Sequence, residues 1–325
     1  MSSSTVALTR LADYSEPGVT NAIRRQFDLL GGLEKFVKHG DKVLLKPNFI
    51  APRSHRYAAQ THPSVIIAVA RLLKDSGARP FVGDSPAWSS VQACARVLRL
   101  IEPLKKLGVP LRQLDKPRWR QIGNKKMNVG ISSHALDADA IINLPKFKSH
   151  QQLVATFAIK NMFGCISGKH KAMWHFRKGG KTQDFCEMLI EIYKALAPGV
   201  TIIDGVFAMD GQGPIHGGTR PLGWLIGGVD PVACERVCCR LVKLDPTEVP
   251  MIETAELLKF GCSDFDDIEL LGDAFSEHVC SDFKRAQLTP LRFSFIHVCK
   301  SIARQVVLLA KGYREKQSIE EELEG

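Results

Sequence analysis

Residues 138–150 read ADAIINLPKFKSH. A short apolar, β-branched run breaks at Asn143 into amide, lysine, serine and histidine. An apolar run of this length, bounded by polar turn residues, suits a strand covered on both faces, as strands of a parallel sheet are. Residues 138–144 are therefore read as a buried strand, and Asn143 to His150 as the polar loop that leaves its carboxyl end. The rest of the chain repeats the pattern. Apolar runs at 5–11, 42–45, 80–83, 109–114, 200–203, 222–227 and 268–271 predict further strands, the last at a sheet edge. Between them, helical periods cover 18–36, Thr61-His62-Pro63 to 75, 89–100, 153–163, 184–196, 232–244 and 252–260. Residues 119–129 suit a hairpin through Gly123-Asn124. Strands alternating with helices predict an α/β fold, a largely parallel sheet flanked by helices, with a C-terminal helical tail. The expected division is an α/β domain over 1–285, followed by 286–325 with a basic amphipathic helix at 292–313 and an acidic end.

In open α/β sheets ligands bind outside the carboxyl ends of the strands, so the residues following each apolar run are the first candidates for chemistry. They are polar throughout. The expected strands empty into Lys46-Pro47-Asn48, Gly83-Asp84-Ser85, Asn143 to His150, Asp204-Gly205 and Gly227 to Pro231. Most such residues cap helices or shape turns, and that reading is preferred for Asp230-Pro231 and for Asp204-Gly205. A strand end needs no lysine, however, and Lys46, Lys146 and Lys148 at one sheet edge would raise a positive potential suited to a carboxylate or phosphate. His150 and His62 are placed to exchange protons, although a hydrogen-bonded structural histidine is as good a reading. Asp84 suits a base or a magnesium ligand, and equally a turn. Lys160-Asn161 follows on the next helix. Gly164 after it reads as a helix stop and Cys165 as a buried thiol. The glycine-rich run 209–218, with Gly211 and Gly213, reads as a loop that approaches or covers a ligand.

Composition excludes several classes. The nine cysteines are odd in number and include no C-x-x-C, which argues against a disulfide framework and a local zinc or iron–sulfur run. No P-loop or strand-to-helix G-x-G-x-x-G is present. The net charge is +10, from 44 basic and 34 acidic residues. The basic residues are dispersed and not interleaved with aromatics, so nucleic acid is disfavoured as a partner. No run reaches the roughly 18 uncharged apolar residues of a membrane span, although the helix at 292–313 could touch an anionic membrane peripherally. The amino terminus shows no signal-peptide pattern, and the expected location is the cytoplasm.

With the motifs GDKVLLKPN (40–48), THP (61–63), GDS (83–85), NLPKFKSH (143–150), KNMFG (160–164), MDGQGP (209–214) and GVDPVA (228–233) in order, the chain resembles the family catalogued as domain of unknown function 362. The resemblance covers about residues 5–244. It implies no settled activity. Some members of that family carry a ferredoxin-like segment, which implies redox or iron–sulfur association. This chain lacks the matching cysteines, so a cluster is not carried over.

The resulting expectation is an enzyme binding a small anionic metabolite at the strand ends. His150, Lys146, Lys160 and Asp84 are its catalytic candidates. Lys46, Asn48, Asn143, Lys148, Asn161, Gly211 and Gly213 are its substrate-binding candidates. The sequence assigns no cofactor, metal or reaction. The alternatives are a non-catalytic redox or iron–sulfur-associated partner protein and, third, a peripheral membrane or nucleic-acid binder.

Overall fold

The computed structural model describes residues 4–86, 89–274 and 279–291. The helix expected at 292–313 and the acidic end lie outside the described residues. The main sheet runs in the order β12 (Ile268–Gly272), β1 (Ser4–Arg10), β11 (Gly218–Gly228), β10 (Val200–Asp210), β7 (Ala140–Leu144), β2 (Lys42–Pro47), β3 (Arg79–Asp84), β4 (Leu111–Gln113). From β10 to β4 every pairing is parallel, and β12 also runs parallel to β1. Along this path β11 alone is antiparallel to its neighbours, β1 and β10; off the path, β9 (Val154–Thr156) is antiparallel to β8 (Lys146–His150). The fold is thus α/β with a largely parallel central sheet. The hairpin expected near 119–129 is present as β5 (Pro117–Ile122) and β6 (Met127–Ser132).

Side chains of successive strand residues point to opposite faces, and both faces are filled. Val43 and Leu45 of β2 pack on one side, in a core shared with α1 (Gly18–Leu29), α2 (Pro63–Asp75), α3 (Val91–Val97) and α4 (Ile101–Lys106). Leu44 faces the other way. It joins a second core built from the hairpin, the short α5 (Ser133–Leu136), α6 (Gly168–Lys178), α7 (Thr182–Leu196), α8 (Pro231–Leu241) and α9 (Pro250–Leu257). Caps fix where the helices start. His62 Nδ1 accepts from Ser64 N ahead of Pro63. Asp230 Oδ1 accepts from Val232 N and Ala233 N ahead of Pro231, as a cap followed by proline predicts.

Three local expectations are corrected. Asn143 to His150 is not a loop. After Pro145 the chain re-enters the sheet as β8 (Lys146–His150), which runs parallel to β10 and pairs on its free side with β9 (Val154–Thr156). The helix expected over 153–163 is instead β9 followed by a 3-10 segment, Ile159–Cys165. Asp204-Gly205 is no turn but lies within β10, where Asp204 is the register partner of Lys146. In each case strand pairing overrides the local preference. Near the end of the described residues, Thr289 N donates to Gln151 O (2.6 Å) and Gln152 Nε2 donates to Pro290 O (3.0 Å), while Leu291 is buried. These contacts tie the residues just beyond the expected 285/286 boundary to the β8–β9 turn.

Candidate active site

β8 carries Lys146, Lys148 and His150 two residues apart, so their side chains share one face of the strand. That face opens into a cavity of about 610 Å³, lined also by Lys46, Asn48 and Asp84 from the ends of β2 and β3, and by Lys160, Asn161 and Gly164 from the 3-10 segment. Lys171, Ala172 and His175 of α6 close a further wall, and Gln212, Pro214, Ile215 and His216 of the 211–217 loop form the rim. Among the described residues five lysines therefore line one cavity whose own lining has a single carboxylate, Asp84.

Two of the lysines are matched by buried carboxylates. Lys46 Nζ lies 2.9 Å from Asp84 Oδ1, and Lys146 Nζ lies 2.8 Å from Asp204 Oδ2. Asp84 is fixed further by Phe49 N and Ser85 N, each donating at 2.7 Å. Asp204 accepts from Tyr14 OH (2.5 Å) and His62 N (2.8 Å), and Lys146 Nζ also donates to Tyr14 OH (2.8 Å). Such fully desolvated pairs hold only with good geometry and satisfied remaining lone pairs, which both carboxylates have.

The other three lysines have weaker compensation. Lys148 Nζ donates to Asn48 Oδ1 (2.6 Å) and Ala59 O (3.0 Å), both neutral acceptors. Burial, with the charge of Lys160 added, pushes the Lys148 ammonium well below its usual range. Lys171 Nζ donates to Ser85 O, and Lys160 Nζ meets His150 Nε2 at 2.9 Å. Burial lowers both amines to about 8, and Lys171 adds its charge to the effect on Lys160. Burial and the neighbouring lysines also push His150 far down, and burial with Lys160 takes His175 to about 3, so both imidazoles are neutral.

Three asparagines hold this charge in place. Asn161 Nδ2 donates to Lys46 O (3.0 Å) and Asn143 Oδ1 (2.8 Å), and its Oδ1 accepts from Asn48 Nδ2 (2.9 Å). Asn143 in turn donates to Ala158 O and Thr201 Oγ1. Asn143 thus lies beneath the cavity as support, while Asn48 and Asn161 border it. Beneath the 3-10 segment the buried Glu235 carboxylate of α8 accepts from Ile159 N at 2.9 Å. Gly211 and Gly213 do not line the cavity. They shape the rim, where Ser149 Oγ donates to Gly211 O (2.8 Å) and Gln151 N donates to Gly213 O (3.1 Å). A Cβ on Gly213 would sit 2.0 Å from Ser149 O.

His150, Lys146, Lys148, Lys160, Asp84, Lys46, Asn48 and Asn161 are therefore brought together around one cavity. His62 is held apart as a helix cap stacked on Tyr14, with ring centroids 3.5 Å apart. Lys171 and His175 were missed by the sequence reading, which left 168–178 unassigned. Their signal was a spacing of four, one helical turn, in a run otherwise rich in basic and aromatic residues. Gly164 was read only as a stop, yet its hydrogen faces the Lys46–Asp84 pair, and a Cβ there would meet Asp84 Oδ1 at 2.2 Å. Val154, across β9 from His150, holds φ at +64, a left-handed backbone that β-branched residues rarely adopt. Among the described residues, no group of three or more His, Cys, Asp or Glu side chains is placed to hold a metal ion. The described cysteines are free thiols.

Fold and site together define an α/β protein with a polybasic cavity at the carboxyl end of its sheet. The chain belongs to the family described as domain of unknown function (DUF362), whose model matches residues 43–240. It is 39% identical over 253 residues to a thylakoid-associated protein of Synechocystis sp., an alignment covering 78% of this chain and 79% of the relative. A solved structure, the lactate racemase apoprotein from Thermoanaerobacterium thermosaccharolyticum, overlaps 72% of the chain and 57% of its own length, with a TM-score of 0.45 at 11% identity. No helix among the described residues is long and apolar enough to cross a membrane.

Proposed function

We propose that the protein is an enzyme acting on a small anionic metabolite, bound in the cavity at the ends of β2, β3 and β8. The observation that carries this reading is the excess of lysines over carboxylates at the cavity, five lysines against Asp84 and the Asp204 behind Lys146. Burying cations without counter-charge is costly, and a carboxylate or phosphate oxygen among Lys148, Lys160 and Lys171 would supply it. The neutral His150 beside Lys160 provides proton-transfer chemistry next to that anion.

Titration calorimetry with inorganic phosphate, succinate and pyruvate tests the reading. An anion favours the charged form of its partner lysine and so raises its pKa. Lys160 and Lys171 start near 8, so above that pH a bound anion draws protons onto them. Binding is expected to be coupled to proton uptake at pH 9, measured as a dependence of the apparent heat on the buffer's ionisation enthalpy. Uptake should vanish at pH 6, where both amines are already protonated. Lack of binding by all three anions would overturn the reading.

Lys148→Met separates binding from stability. It removes a buried amine held only by neutral acceptors, so the desolvation cost that is relieved offsets the cost of leaving Asn48 Oδ1 and Ala59 O without this donor. The variant is expected to melt no lower than the parent yet to bind anions at least about 10-fold more weakly, the loss of one charge-assisted contact. A lower melting temperature with unchanged affinity would place Lys148 outside the binding role.

Location belongs to the same proposal. The thylakoid association in the relative's name and the +10 net charge favour attachment at an anionic membrane surface over the free cytoplasmic location expected from sequence. Fractionation decides it, because a peripheral protein leaves membranes in a high-salt wash.

A further inference from the structure

The lysines lining the cavity are not equivalent. Lys46, Lys146, Lys148 and Lys171 are at most 9% exposed, and each donates to a carboxylate or carbonyl oxygen. Lys160 is more open to the cavity, and its hydrogen-bond partner is an imidazole nitrogen. The orientation of that imidazole is fixed from its far side, because Gln152 N donates to His150 Nδ1 at 3.1 Å. A neutral imidazole whose Nδ1 accepts carries its hydrogen on Nε2. That Nε2–H points at Lys160 Nζ, 2.9 Å away. Both contacts are satisfied together only when the lysine nitrogen accepts, which an ammonium cannot do and a neutral amine can. His150 is therefore a positioning residue that favours the unprotonated amine of Lys160.

A neutral amine open to a cavity and ringed by cations is a nitrogen nucleophile toward a carbonyl carbon, with an anion site beside it. From this geometry we infer that Lys160 forms an imine with the carbonyl carbon of a small 2-oxo acid whose carboxylate lies among the neighbouring ammonium groups. This rests on the anion-binding reading above and names its substrate class. The Lys160 lone pair forms the C–N bond while the carbonyl π pair moves to oxygen. One proton passes from the new ammonium nitrogen to that oxygen, giving a neutral carbinolamine. A second comes from the Lys171 ammonium, and the oxygen leaves as water as the nitrogen lone pair closes the C=N bond. The product is a protonated imine, Lys171 is reprotonated by solvent, and no oxidant or reductant is consumed. The cation so formed is an electron sink for bond breaking at the adjacent carbon. Lys171, with its amine lowered to about 8, is matched to this donor role.

The test is reductive trapping on the full chain. Glyoxylate, pyruvate, oxaloacetate and 2-oxoglutarate are each incubated with the protein and sodium cyanoborohydride, and adducts are mapped by peptide mass spectrometry. The expected result is one reduced adduct at Lys160, absent from Lys160→Arg. It should be suppressed in the parent by excess succinate, which carries carboxylates but no ketone, so that the result does not hang on the folding of one variant. Trapping is expected to rise with pH as Lys160 loses its proton, to peak near 8, and to fall above it as the Lys171 donor is lost; the midpoint of the rising limb belongs to Lys160. In His150→Asn the midpoint should move upward, because the donor that favours the neutral amine has been displaced; a purely structural role for His150 would lower the yield and leave the midpoint in place. Calorimetric binding of 2-oxo acids without an adduct, or adducts spread over surface lysines and unaffected by succinate, would overturn the imine and leave the anion site standing. Failure of every anion to bind would overturn both.

Discussion

Asp84→Ala is expected to destabilise the protein by about 3–5 kcal/mol, the usual cost of removing one partner from a buried ion pair. In a chain of this size that lowers the melting temperature by on the order of 10 °C. The reason is what remains. Lys46 is 0% exposed, and without Asp84 it keeps only the Pro47 carbonyl at 2.6 Å and Asn161 Oδ1 at 3.5 Å. Phe49 N and Ser85 N lose their acceptor in the same step. Replacing both partners, as Lys46→Met with Asp84→Leu, removes the stranded charge and should recover part of the loss. Denaturant unfolding of the two single variants and the double variant checks this. A double variant no more stable than Asp84→Ala would show that the charge on Lys46 is not the source of the cost.

Gly164→Ala should disturb the same pair without altering a charge. The added methyl would lie 2.2 Å from Asp84 Oδ1 and 2.4 Å from Lys46 Nζ, so one of the two must leave its position. Overpacking of this kind costs about 1–3 kcal/mol, and separating the ions adds to it. In the Lys46→Met, Asp84→Leu background the pair is already gone, so the cost of the alanine should fall by at least about 1 kcal/mol, a coupling expected between residues in contact. Strict additivity of the three substitutions would mean that Gly164 acts through the local backbone alone.

The fold was legible wherever hydrophobic period and end signals agreed. Val43-Leu44-Leu45, the proline after His62 and the Asp230-Pro231 cap each state locally what the structure does there. The pleat also put Lys146, Lys148 and His150 on one side, although the sequence reading reached their proximity by treating the segment as a loop. What stayed hidden depends on strand pairings that the composition of a segment does not state. Asp204-Gly205 has the composition of a turn, and only the pairing of β10 with β8 makes Asp204 a counter-ion for Lys146. Residues 153–163 have acceptable helical composition, yet pairing to β8 draws 154–156 into the sheet. Gly164 illustrates the limit most sharply, since a glycine kept for a turn and one kept for space read alike until the atoms opposite its hydrogen are known.

The contacts of Gln151 and Gln152 with residues 289–291 also bear on the imidazole of His150. The backbone N–H of Gln152 sets which imidazole nitrogen of His150 carries the hydrogen, and the flanking Gln151 carbonyl is held by Thr289 N. Three residues past Thr289 the chain leaves the described structure. The described chain thus ends at the buried Leu291, on a strap whose hydrogen bonds lie on the turn that orients the imidazole.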